Sequence, residues 1–157
     1  MRRGLIGSLR AAAPFAVAIA LGLGALGLND AQAHDEKDPR HMVMESLSKN
    51  MEALSRSLRQ GPPGDAEHAR AAELIDVANR MPALFETPNP GENNNRAKPE
   101  IWSDWAGFSA KIDEFRDATG ALAAALKADD PAAWSGALQT VGRSCASCHR
   151  PYRTPRR

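Results

Sequence analysis

The densest chemistry in the sequence lies in five consecutive residues, Cys145-Ala146-Ser147-Cys148-His149. Two thiols three positions apart, followed at once by an imidazole, form the C-x-x-C-H pattern of covalent haem attachment. Each thiol adds across one haem vinyl group, and two intervening residues match the separation of those vinyls. The histidine directly after the second cysteine then sits under the iron as its proximal ligand. Two other chemistries use a cysteine pair. A structural zinc site wants four ligands, usually two such pairs, and this chain has only these two cysteines. A dithiol redox motif belongs beside a βαβ unit, and no segment here alternates with period two. The pattern reads as one haem c per chain, bonded to Cys145 and Cys148, with His149 on the iron.

Helices must position that motif. Asp130-Pro131 supplies an N-cap and a proline at the first helical position. From there Trp134, Leu138, Val141, Cys145 and Cys148 recur at spacings of 4, 3, 4 and 3, so the cysteines continue the buried stripe of the last helix. An earlier helix begins at Pro39, with Met44, Leu47, Met51, Leu54 and Leu58 inward, and stops at Gly61-Pro62-Pro63-Gly64. Asp65 caps a second, running to about Met81 with Ala69, Ala72, Ile75 and Ala78 inward and Pro82 after it. A polar connection from Pro82 to Lys98 follows, pinned by Leu84 and Phe85. Its length is of the kind often tied to function. The third helix starts at Pro99 and carries Ile101, Trp105, Phe108, Ile112, Phe115, Thr119, Leu122 and Leu126. Four helices, two short turns and one long connection predict an all-α, antiparallel up-down-up-down four-helix bundle, with haem inserted near one end.

Residues 1–33 read as a cleaved secretory signal peptide rather than as fold. Arg2 and Arg3 precede an apolar run from Ala11 to Leu28, and Ala31-Gln32-Ala33 is a small-x-small cleavage site. The domain is then 34–157, in the periplasm, with no stable membrane insertion after cleavage. That mature chain has 17 Lys and Arg against 18 Asp and Glu. Such a balance gives no reason to expect a nucleic-acid partner.

A C-x-x-C-H near the C-terminus of an exported four-helix chain resembles the class II cytochromes c, the family of cytochrome c prime. The likeness spans the mature chain. It includes Arg40 and Met44 with Asn50-Met51 on the first helix, and Leu84-Phe85 in the crossover. It also includes Ala97-Lys98-Pro99-Glu100-Ile101-Trp102 entering the third helix, and Tyr152-Arg153 after the motif. The resemblance implies a left-handed bundle in which the helix-one residue facing the iron decides behaviour.

Met44 is the candidate for that position. In an up-down-up-down bundle the start of helix one lies level with the end of helix four. Met44, five residues in, lies roughly 7.5 Å along its helix, level with His149. A thioether opposite His149 makes a low-spin electron carrier. This is the low-spin, methionine-ligated branch of the resembled family and the main functional expectation, with periplasmic redox proteins as partners. An open iron with Met44 merely packed over it makes a five-coordinate binder of nitric oxide or carbon monoxide, the alternative. A sensor subunit is a third class. Arg40 and Arg153 are candidates to pair haem propionates, and Met81, Leu84, Phe85, Trp102 and Trp105 to form the apolar wall. No nucleophile–base pair suggests an enzyme. Monomer and homodimer both remain open.

Overall fold

The computed structural model describes residues 38–91, 95–128 and 130–155; the signal-peptide expectation lies outside them. Five helices follow one another: α1 (Pro39–Ser57), α2 (Asp65–Leu84), the single turn α3 (Glu100–Ser103), α4 (Trp105–Lys127) and α5 (Pro131–Tyr152). Among the described residues the only β pairing is one isolated bridge, Ala97 with Arg153.

Local chemistry sets the helix starts. The Asp38 carboxylate accepts from the Arg40 amide at 2.7 Å, with Pro39 in the first turn. Asp104 accepts from the Gly107 amide at 3.1 Å, and Asp130 from those of Ala132 and Ala133 at 2.9 and 3.1 Å. Each satisfies amides that have no partner inside the helix. The short joints α1–α2 and α4–α5 turn the chain back on itself. Around the bundle α1 packs on α2, α2 on α4, α4 on α5, and α5 on α1. The result is an all-helical bundle of four long helices, as expected.

Most stripes fall where the spacing puts them. Leu47 and Leu54 are buried on α1, and Phe108, Ile112, Phe115, Thr119, Leu122 and Leu126 on α4. Two expectations need correction. On α2 the buried residues are Ala71, Leu74, Val77, Ala78 and Met81, whereas Ala69 and Ala72 are exposed and Ile75 is half-buried. Alanines permit a stripe at several rotations of a helix. Burying Leu74, Val77 and Met81 removes more apolar area from water, at about 25 cal/mol per Å², and that decides the rotation. Helix α2 also runs through Pro82 to Leu84.

The second correction is Trp105, which is 39% exposed. Asp104, at φ −127° and ψ 56°, leaves helical geometry and ends α3. That break takes Trp105 out of register with Ile101, so its ring rests on Phe108, 5.7 Å between centroids, at the edge of the core.

Two carboxylates stitch α1 to α2. Ser57 donates to Glu67 at 2.7 Å, and Glu67 also accepts from the Gly64 amide at 3.0 Å. Ser46 donates to Glu73. These hydrogen bonds hold both glutamates below the usual carboxylate range, Glu67 through Ser57 first and Glu73 through Ser46 first. A depressed folded-state value stabilises the fold above the ordinary glutamate pKa, and that gain is lost as pH falls through the folded value. Glu67→Gln and Glu73→Gln should therefore lower stability at neutral pH modestly and flatten its decline below about pH 4.5. Urea titrations from pH 3 to 7 check this; an unchanged acid limb would contradict it.

Candidate functional site

Helix α5 delivers the motif to the end of the bundle. Cys145 and Cys148 are half-buried against the core, as their stripe requires, and His149 is half-buried one residue on. Contacts from the long connection hold this terminus. The Lys98 amide donates to the Tyr152 carbonyl at 3.1 Å, and the Thr154 amide to the Arg96 carbonyl at 2.9 Å. Lys98 Nζ donates to the Pro151 carbonyl at 2.8 Å. The long connection thus folds back and caps the carbonyl end that carries His149.

A further tie runs from α5 to the α3–α4 break. The Tyr152 hydroxyl donates to Asp104 at 2.7 Å, which pushes the phenol up to about 12. Its ring meets Phe108 edge-on at 5.2 Å between centroids. Gly107 makes room for this. A Cβ there would lie 2.3 Å from Asp104 Oδ2 and 2.7 Å from the Tyr152 hydroxyl. Gly107→Ala should break this bond and lower stability by about 1–3 kcal/mol, although alanine favours helices. Denaturant unfolding would measure it. A gain in stability would mean that Asp104 and Tyr152 move aside freely.

A cavity of about 800 Å³ opens beside α5. Cys145, Cys148 and His149 line it on one side. Met44 on α1, Met81 on α2, Phe85, Arg40 and Arg153 also line it, so five of the residues expected around the haem lie there. Leu84, Trp102 and Trp105 do not, which corrects their assignment to the wall. Trp102 instead donates its indole N–H to the Phe85 carbonyl at 2.7 Å and holds the crossover. Leu84 contributes its carbonyl, which accepts from Arg40 at 2.6 Å.

Arg40 itself is only 8% exposed. Besides Leu84 it donates to the Thr87 carbonyl at 2.8 Å and to Asn89. Its guanidinium lies over the Phe85 ring, 4.9 Å from the centroid, and near that of Trp102 at 5.6 Å. It therefore clamps the crossover to α1 while bordering the cavity.

Sequence reasoning missed several lining residues: Leu47, Met51, Phe108, Ile112, Phe115 and Tyr152, with Ile101, Lys111, Arg96 and His41. Most were read as core stripe. The available signal was their level: stripe residues near the start of α1 and α4 lie beside the end of α5.

Electrostatics separates the rival uses of the cysteines. Burial pushes the Cys145 thiol up, and burial with the neighbouring Cys145 pushes Cys148 up to about 11. A catalytic dithiol needs the opposite, a stabilised thiolate. A thioether carries no charge and suits a half-buried position. Burial, with Arg153 and Arg96 nearby, lowers His149 to about 4. Its imidazole is thus neutral at physiological pH, with a lone pair available to a metal. The volume also suits a macrocycle, since pockets for cofactors span roughly 300–1,000 Å³. The residues present fit a haem held through Cys145, Cys148 and His149.

A four-helix bundle with this attachment site near the end of its last helix defines a c-type cytochrome of the bundle class. Residues 35–153 match the family Cytochrome C'. The chain is 30% identical over 117 residues to cytochrome c' of Rhodospirillum rubrum, covering 73% of this chain and 78% of that one. It is also 30% identical over 118 residues to cytochrome c-556 of Agrobacterium tumefaciens, covering 75% and 96%. Among solved structures it resembles the nitric oxide complex of a cytochrome c prime variant from Alcaligenes xylosoxidans. There the TM-score is 0.64 at 30% identity, covering 74% of this chain and 91% of that one. This chain belongs to the cytochrome c' family, and its cofactor is covalently attached haem c.

Proposed function

We propose that this chain is a periplasmic mono-haem protein whose iron, held on one side by His149, takes up a diatomic gas on the other. Nitric oxide and carbon monoxide are the gases meant. The observation that carries this reading is the α1 wall of the cavity, where Met44, Leu47 and Met51 present apolar side chains. Such a wall admits a small neutral molecule and constrains it by crowding. The nitric oxide complex of the Alcaligenes relative supports the same reading. The role is binding or redox, not enzymatic, and the electrons come from periplasmic redox proteins.

One specific observation favours a second reading, electron transfer through a six-coordinate iron. Met44 brings a thioether to the same cavity that His149 lines. A His/Met pair raises the potential and keeps the iron low spin.

Optical spectra of the purified protein, oxidised, reduced and with carbon monoxide, decide between them. A high-spin ferric spectrum and ready uptake of carbon monoxide are expected. A low-spin spectrum with the weak red sulfur–iron charge-transfer band, and refusal of carbon monoxide, would overturn the gas-binding reading in favour of the second.

A further inference from the structure

The charges of this chain are divided unevenly. Residues 131–157 contain Arg143, Arg150, Arg153, Arg156 and Arg157 and no acidic residue. Residues 35–130 hold 12 Lys and Arg against 18 Asp and Glu. The segment that carries the haem is thus the basic part of an otherwise acidic domain.

The fold concentrates this charge beside the cavity. Arg143 and Arg150 are seven residues apart on α5 and share a face. Both are exposed, and they follow directly on Gly142 and His149, which line the cavity. Arg153 caps α5, and the bridge to Ala97 sets Arg96 and Lys98 alongside. Arg96 donates to the Thr154 carbonyl, a neutral acceptor that leaves its charge in place. Carboxylates border the face as well: Glu100 lies 3.5 Å from Lys98, Glu114 is held by Lys111 at 2.6 Å, and Glu45 lines the cavity and pairs with Lys49 at 2.8 Å. Asp104 accepts from Tyr152 and keeps its charge.

We infer that this face docks an acidic redox protein, which would exchange one electron with the haem held by Cys145, Cys148 and His149. The transfer balances simply: the donor loses one electron and the iron gains it, with no bond made or broken. The inference rests on the haem attachment and holds for either sixth-position reading, because an electron carrier cycles its iron and carbon monoxide binds only ferrous iron. Complementary charge steers such encounters and raises their rate by 10-fold or more at low salt, an order-of-magnitude figure.

The test uses the holoprotein and, as probe, a reduced acidic plant-type ferredoxin in stopped-flow mixing. Reduction should slow steeply as salt rises. Arg143→Glu/Arg150→Glu, at two exposed positions that do not themselves line the cavity, should cut the low-salt rate about tenfold and weaken complex formation in titration calorimetry. Its optical spectrum should stay that of the parent. Reduction by cationic hexaammineruthenium should accelerate in the same variant, and Lys127→Glu on α4 should leave both rates unchanged. Salt-independent reduction, or equal rates for parent and variant, would overturn the inference. So would charge-dependent binding to phosphatidylglycerol vesicles with none to ferredoxin, which would make the face a membrane contact.

Discussion

Cys145→Ala/Cys148→Ala is expected to yield a protein whose haem, if any, leaves in acidified organic solvent, and whose bundle no longer holds its native packing. The first part follows from the bonds themselves, since both thioether positions are gone. The second follows from the cavity. Without haem its apolar lining, Met44, Leu47, Met51, Phe108, Ile112 and Phe115 among it, loses the atoms it packs against and faces water. The walls must therefore collapse. Loss of near-ultraviolet dichroism with retained helix content, and rapid proteolysis, are the expected signs. A variant that keeps parental stability and near-ultraviolet signal without haem would show that the bundle is preformed, and the cofactor incidental to its core.

If the iron binds gas as proposed, Met44→Ala should leave the oxidised spectrum high spin and raise carbon monoxide affinity about tenfold. That factor corresponds to about 1.4 kcal/mol of relieved crowding. Met44 is half-buried on α1, so the substitution should cost stability toward the low end of the roughly 2–5 kcal/mol range for a buried methionine. Met51→Ala is the companion. It lies two turns further along α1 and should change stability more than gas affinity. A switch from low to high spin on removing Met44, with a fall in potential, would mean that its sulfur had been an iron ligand. The protein would then be an electron carrier.

The attachment site was legible because its logic is local. Cys145, Cys148 and His149 must be neighbours in sequence to meet the vinyl groups and the iron of one haem, so spacing alone carries the chemistry. The last helix was legible for a related reason: Trp134, Leu138 and Val141 are large enough to mark one face without ambiguity. Arg40 was less transparent. Its position makes it a candidate to pair a haem propionate. Instead it spends its donors on the carbonyls of Leu84 and Thr87, more than forty residues away. No pattern within α1 could name those partners, because they belong to an irregular crossover.

The sequence by itself determined the helical class and the covalent haem c, and it named Cys145, Cys148 and His149 as the residues fit to hold it. Each of these follows from short-range spacing or from the order of helices and turns. The tertiary structure alone decided which residues wall the cavity and which merely surround it. Rotation of a helix by one residue turns a side chain through about 100°, and an alanine-rich helix such as α2 sets its rotation by the volume its neighbours leave. The single break at Asp104 likewise moves Trp105 out to solvent, while Phe108 and Ile112 remain against the haem cavity.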